Sequence, residues 1–316
     1  MRHSIQAIAF VGVALALVVV ACSDGDAREC RVGADCASGA CTPEGRCVRE
    51  GTTPAPDASA SNDAEPPGDA STDAPSDAAL PGCSPNKDGV ITREEIPIAA
   101  GLHATYRIGR NEDVSTAGTP AAGNKRAWDF SAPLASDVRV LVETQPLTGK
   151  WYGPKFSGAT YAAKLREGSE LIGVFQTSPG AFLLRGVVSP DEGLTKTELT
   201  NDPPVEVLKF PLKLAETWST DTTVTGTAQG VFLVMPYSEK YESQIDAEGT
   251  LKTPLGTFDV LRVRVLLTRT VGLLTTRIRT FAFVTECYGT IATVTSADNE
   301  TDVEFTRAVE IRRLSP

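Results

Sequence analysis

Histidine is almost missing from this 316-residue chain, which has only His3 and His103. A metal centre built from several imidazoles is therefore excluded. The patterns G-x-S-x-G, H-E-x-x-H and G-x4-G-K-[ST] do not occur, so the sequence lacks a nucleophile elbow, a zincin helix and a phosphate-cradling loop. Hydrolysis by two carboxylates needs no such pattern and stays open. Seven cysteines contain no C-x-x-C spacing, which leaves no ordinary zinc site. Positive charge is scarce as well. The 30 Lys and Arg face 40 Asp and Glu, and no basic cluster offers a footprint for nucleic acid. His103, within His103-Ala-Thr-Tyr-Arg-Ile-Gly, reads as a half-buried sheet residue rather than a catalytic base.

The N-terminus carries an export pattern. Arg2 supplies a positive start, and Ile5 to Ala21 is uncharged and mostly apolar. That stretch falls short of the ~20 residues that span a bilayer, so it reads as a removable signal. It ends in Val19-Val20-Ala21-Cys22, which resembles the lipobox of bacterial lipoproteins. The resemblance implies cleavage before Cys22 and diacylglyceryl transfer to its thiol, giving a firm membrane anchor without a spanning helix. Ser23 in the next position resembles sorting to the outer membrane, on its periplasmic side or at the cell surface.

Four parts follow from composition. Residues 1–21 form the signal peptide and 22–50 a lipid-anchored, cysteine-rich segment. Within it, Cys30, Cys36, Cys41 and Cys47 share 18 residues with three glycines. So short a piece cannot bury a core and needs crosslinks. Three local pairings are open, and the interlaced one, Cys30–Cys41 with Cys36–Cys47, is the expectation. The stretch resembles short cysteine-rich repeats near the N-termini of myxobacterial lipoproteins. Cys83 and Cys287 are then left over and are expected to pair with each other. Residues 51–82 are Ala, Pro, Asp, Ser and Thr with one large apolar residue, Leu80. Burial cannot offset the entropy of ordering such a segment, so it reads as a disordered stalk. It carries six acidic and no basic side chains, whereas 83–316 holds 28 acidic and 25 basic ones. The acidity belongs mostly to the stalk.

Residues 83–316 show period-two patterning. Tyr241, Ser243, Ile245 and Ala247 alternate with Glu242, Gln244, Asp246 and Glu248, and Leu261, Val263, Val265 and Leu267 alternate with Arg262 and Arg264. Ala181–Ser189, Thr276–Thr285, Gly289–Thr295 and Val303–Leu314 behave alike. Short strands without a helical stripe predict an all-β domain, an antiparallel β-sandwich or curved sheets. Between two of them, Pro254-Leu255-Gly256 suits a three-residue hairpin loop with Gly256 left-handed. That turn sets Glu248 opposite Arg262 and Asp246 opposite Arg264.

Several motifs remain. Ser84-Pro-Asn86-Lys-Asp88-Gly89-Val90-Ile-Thr92-Arg-Glu-Glu95 resembles the EF-hand calcium loop, with oxygen ligands at alternate positions and Gly at the turn. The resemblance implies calcium held by Ser84, Asn86, Asp88, Val90, Thr92 and Glu95. Ser84 replaces the usual Asp, no helix precedes the loop, and Pro97 shortens the one after it. A turn with a capping box, Thr92 to Glu95, is the alternative. Gly123-Asn-Lys-Arg-Ala-Trp128-Asp129-Phe130-Ser131 and Gly249-Thr-Leu-Lys-Thr-Pro-Leu-Gly-Thr-Phe-Asp-Val-Leu-Arg-Val263 resemble uncharacterised secreted bacterial β-domains. A third matching element is Pro211 to Trp218, with Ala215 where Gly is expected. Trp128 and Trp218 read as core, and Trp151-Tyr152 as the best candidate for an exposed aromatic pair. The functional expectation is an envelope lipoprotein with a binding or structural role, its partner an envelope protein or glycan. The alternatives are a carrier of a lipid or other apolar ligand, and a carboxylate hydrolase.

Overall fold

The computed structural model describes residues 83–316, apart from 167, 194–195 and 229–230 and the side chains of 231–235. Cys22, the pairings Cys30–Cys41 and Cys36–Cys47, and the stalk 51–82 lie outside the described residues.

Strand β1 (Val90–Ile91) precedes β2 (His103–Asp113), β3 (Thr119–Pro120), β4 (Arg126–Asp129) and β5 (Val138–Gln145). Next come β6 (Tyr161–Lys164), β7 (Ile172–Thr177), β8 (Ala181–Val188), β9 (Glu198–Lys209) and β10 (Leu212–Lys213). The remaining strands are β11 (Thr217–Ala228), β12 (Val231–Lys252), β13 (Thr257–Val271), β14 (Leu274–Thr285), β15 (Gly289–Thr295) and β16 (Arg307–Leu314). Pairing runs β11-β9-β8-β7-β6-β5-β2-β16-β15-β14-β13-β12, and β12 also pairs with β11. A barrel-like ring of antiparallel strands results. Ring closure of this kind pairs the two outermost strands of the sheet, whose edges would otherwise invite aggregation. Outside the ring, β4 joins the end of β12 in parallel, and β1 pairs with β10.

The all-β expectation is met, and three cores explain why these strands are so apolar. Between the walls, Tyr161, Phe175 and Phe182 of β6–β8 share one cluster with Ile245, Val263 and Val284 of β12–β14. On the opposite face of β14, Phe281 and Phe283 pack under Trp128 and Phe130. Trp128 and Phe130 both meet Phe283 edge-on, with centroids 5.1 and 5.5 Å away. A third cluster lays Tyr152 and Phe156 on Ala162 and Val174. A strand buried on both faces loses its alternation, and β14 reads Phe281-Ala-Phe-Val284 without a break. One expected strand is shorter than its pattern. Residues 303–306 precede β16 outside any strand, with Val303 40 % exposed, because Phe305 turns into the second core instead.

The β12–β13 hairpin corrects the expected register. Lys252 faces Thr257, so the loop has four residues, and Gly256 does not take a positive φ. The buried Thr253 hydroxyl accepts from the Leu255 and Gly256 amides at 3.2 and 3.4 Å, closing the turn from its side chain. The Leu255 amide also donates to the Leu314 carbonyl, 3.2 Å away, so the C-terminal strand helps hold the loop. Glu248 therefore faces Leu261, on the other side of the sheet from Arg262. A second shift follows at Asp246, a bulge that sets Ala247 opposite Arg262 and Ile245 opposite Val263. The bulge turns Asp246 towards Arg262, and their two hydrogen bonds measure 2.9 and 3.0 Å.

Ala215, where a glycine was expected, sits at φ +73° between β10 and β11. A left-handed conformation costs an L-residue roughly 1–2 kcal/mol, against which glycine loses more chain entropy. Ala215→Gly is expected to raise stability by about 0.5–1 kcal/mol. A urea midpoint that stays put or falls would contradict this.

Candidate functional site

The most specific sequence motif folds against one end of the ring. Cys83 is bonded to Cys287 in the β14–β15 turn. The Lys87 amide donates to the Glu286 carboxylate at 3.2 and 3.3 Å, and the Cys287 amide donates to the Glu95 carbonyl at 2.7 Å. Ile91 and Ile96 are buried in the core between the walls. Gly89, at φ +82°, allows the backbone reversal that brings the chain back to β1.

Three of the six candidate calcium ligands, Asn86, Thr92 and Glu95, converge in this loop, while the Asp88 carboxylate is turned to its own backbone. Asn86 accepts from the Asp88 amide at 2.9 Å, and Asp88 accepts from the Val90 amide at 2.8 Å. Asn86 Nδ2 donates to Glu95 Oε1 at 2.6 Å. Glu95 Oε2 accepts from both the amide and the hydroxyl of Thr92, at 2.8 and 3.0 Å. Glu95 thus reaches back over a single 3-10 turn, Arg93–Glu95, in the manner of a capping box. Val90 contributes a strand residue paired with Lys213, and Ser84 is exposed. The donors suit a hard cation by type, but a cation would have to displace the Asn86 and Thr92 hydrogen bonds from Glu95.

A cleft of about 500 Å3 adjoins the loop. Two of its three carboxylates are paired, Asp259 with Lys87 at 3.2 Å and Glu248 with Lys125 at 3.9 Å, and the third, Glu286, accepts from the Lys87 amide. Phe258 and Tyr288 meet edge-on in its wall. Lys87 therefore ties the loop to the cleft through both its amide and its side chain. Sequence reasoning passed over Lys87, Asp259 and Glu286. The first lies inside the motif, while Asp259 comes from β13 and Glu286 from the β14–β15 turn, both remote in sequence.

The other motifs are structural. Trp128 is buried and donates from Nε1 to the Thr116 carbonyl at 2.8 Å. Trp218, also buried, donates to the Glu206 carbonyl at 2.9 Å. Asp129 ends β4 by accepting from the Ser131 amide and hydroxyl at 3.0 and 2.6 Å, and those bonds hold its carboxyl below the usual range. Gly249 answers to a close approach, since a Cβ there would lie 1.8 Å from the Arg126 carbonyl oxygen. The expected exposed aromatic pair is not one. Tyr152 is fully buried and Trp151 half-buried, because the loop before β6 packs onto β6 and β7 as the third core. Burial pushes the Tyr152 hydroxyl up from its ordinary pKa. His103 lies in β2 as expected but is exposed rather than half-buried. Its strand neighbour Tyr106 is half-buried and donates to the Thr290 carbonyl, and desolvation of its hydroxyl pushes its pKa up to about 12.

Comparison with protein-family models, curated proteins and solved structures finds no match for this chain.

Proposed function

We propose that this protein is an envelope-anchored lipoprotein whose barrel-like domain binds a partner at the cell envelope. The observation that carries the reading is the order of the sequence: an uncharged export segment ending in Val19-Val20-Ala21-Cys22, then a polar stalk, then a nearly neutral domain. Acyl chains on Cys22 would supply the anchor, at about 0.8 kcal/mol per buried CH2. Two features of the domain bear on the rival readings. The space between the walls is filled by side chains such as Tyr161, Phe182 and Trp218, which leaves an apolar carrier without a chamber there. In the cleft beside the calcium-like loop, Asp259 and Glu248 are each engaged by a lysine and Glu286 by the Lys87 amide, an arrangement suited to holding shape rather than to moving protons.

Cys22→Ser removes the acceptor thiol. The variant is expected to lose metabolic labelling by palmitate and to leave the membrane fraction, while its domain keeps the wild-type unfolding midpoint. Labelling and membrane association equal to wild type would overturn the anchor.

A further inference from the structure

The ring has a split in its wall. Strand β5 pairs with β2 along His103–Ile108, but on its other side it meets β6 only at Thr144 and Gln145. The Thr144 amide donates to the Leu102 carbonyl on the β2 side. Beyond the last rung to β6, strand alternation turns the N–H and C=O groups of Arg139 and Leu141 towards the split. Among the described residues these groups have no backbone partner. Leu141 is 56 % exposed at the same place.

A cleft of about 390 Å3 lies along this open edge. Ile108, Val140, Val142 and Ile172 give it apolar walls, and the cations Lys150, Lys164, Arg166 and Arg312 stand against Glu143 and Glu170 in the lining and Glu310 behind the two arginines, an excess of one. Arg166 and Arg312 are held by Glu310 at 3.3 and 2.7 Å, and Lys164 meets Glu170 at 3.4 Å. Lys150 has no carboxylate partner among the described residues. The Tyr152 hydroxyl is buried beside the cleft without a hydrogen-bond partner.

We propose that the split between β5 and β6 binds an extended acidic peptide, which adds as a strand to the β5 edge. The inference rests on the binding role proposed above and locates it. Backbone groups facing a cleft need donors and acceptors at strand spacing, and a peptide provides them. An acyl chain cannot, so an open strand edge is a poor lining for lipid. The cation excess selects acidic side chains, and the apolar walls take the alternate residues.

The test uses full-length protein in detergent and an acetylated heptapeptide of alternating Glu and Val. Binding is read by fluorescence anisotropy, and amide exchange is followed across 138–145. The expected results are saturable binding that weakens with salt, slowed exchange at 138–145, and affinity lowered roughly tenfold in Lys150→Glu/Lys164→Glu. The same peptide with alternate backbone nitrogens methylated should bind at least tenfold more weakly, and a Lys/Val peptide should not bind. Thermal unfolding checks that the variant is folded. Equal affinity for the methylated peptide, equal affinity for the Lys/Val peptide, or displacement by oleate would each overturn the proposal. Binding that protects amides elsewhere would overturn this site while leaving the general binding role standing. No binding at millimolar peptide would also overturn the site, and the Cys22→Ser result would be untouched.

Discussion

Arg262→Ala is expected to cost the domain about 3–5 kcal/mol, the loss typical of removing one partner from a buried ion pair. Arg262 is buried on the face of β13 that carries the second core. All five of its N–H groups are engaged. Nε and Nη2 donate to Asp246, Nη1 and Nη2 donate to Glu304, and Nη1 donates to the Thr116 carbonyl at 2.6 Å. The guanidinium also lies 4.2 Å from the centroid of Phe281. Burial alone would lower its pKa, but the two carboxylates outweigh that and raise it. Alanine would leave Asp246 and Glu304 without their cation, and a cavity beside Phe281. Arg262→Lys keeps the charge but not the planar fork, and should lose less. Glu304→Gln should cost less again, because Glu304 is 35 % exposed and Asp246 only 12 %. Equilibrium unfolding in urea measures all three. A loss under 1 kcal/mol for Arg262→Ala would show that the network does not hold the bulge.

Replacing both Cys83 and Cys287 by serine is expected to cost about 2–4 kcal/mol. The bond joins residues 204 apart in sequence. In the chain-entropy account such a loop restricts the unfolded chain by roughly 5 kcal/mol at most. What remains to hold segment 83–98 is modest: a two-residue ladder between β1 and β10, the bonds of Lys87 to Glu286 and Asp259, the Cys287 amide on the Glu95 carbonyl, and three buried isoleucines. Amide exchange should therefore rise first at 88–98 in the double variant, before the ring itself opens. The urea midpoint measures the global effect and exchange the local one. An unchanged midpoint with 88–98 still protected would mean that packing alone seats the segment.

Much of this was open to a reader of the chain. Alternation at 241–248 and 261–267 marks β12 and β13 because a half-buried strand must present every second side chain to the core. Cysteine parity pointed to Cys83–Cys287 once the N-terminal four were set aside. The missing glycine at 215 showed as a departure from pattern, and the backbone there is left-handed. Register was harder. Pro254 and Gly256 suggested a three-residue loop, but the Thr253 hydroxyl and the Leu314 carbonyl settled it at four. One residue of shift moved Glu248 to the other face.

Some features have no local signal at all. Arg312-Arg313 looks like a solvated pair near the C-terminus, yet Arg313 is fully buried. It donates to the Phe130 and Ala132 carbonyls and pairs with Asp137, groups that lie about 180 residues away. The split beside β5 is equally silent, since Val138 to Gln145 reads as an ordinary strand. The chain alone determines which residues become strands and which positions turn, because periodicity and turn chemistry act over a few neighbours. Closure of the ring, the bulge at Asp246 and the gap between β5 and β6 depend on which remote strand supplies the facing hydrogen bonds and counter-charges. That pairing is decided by packing over long sequence separations, where local pattern has no influence.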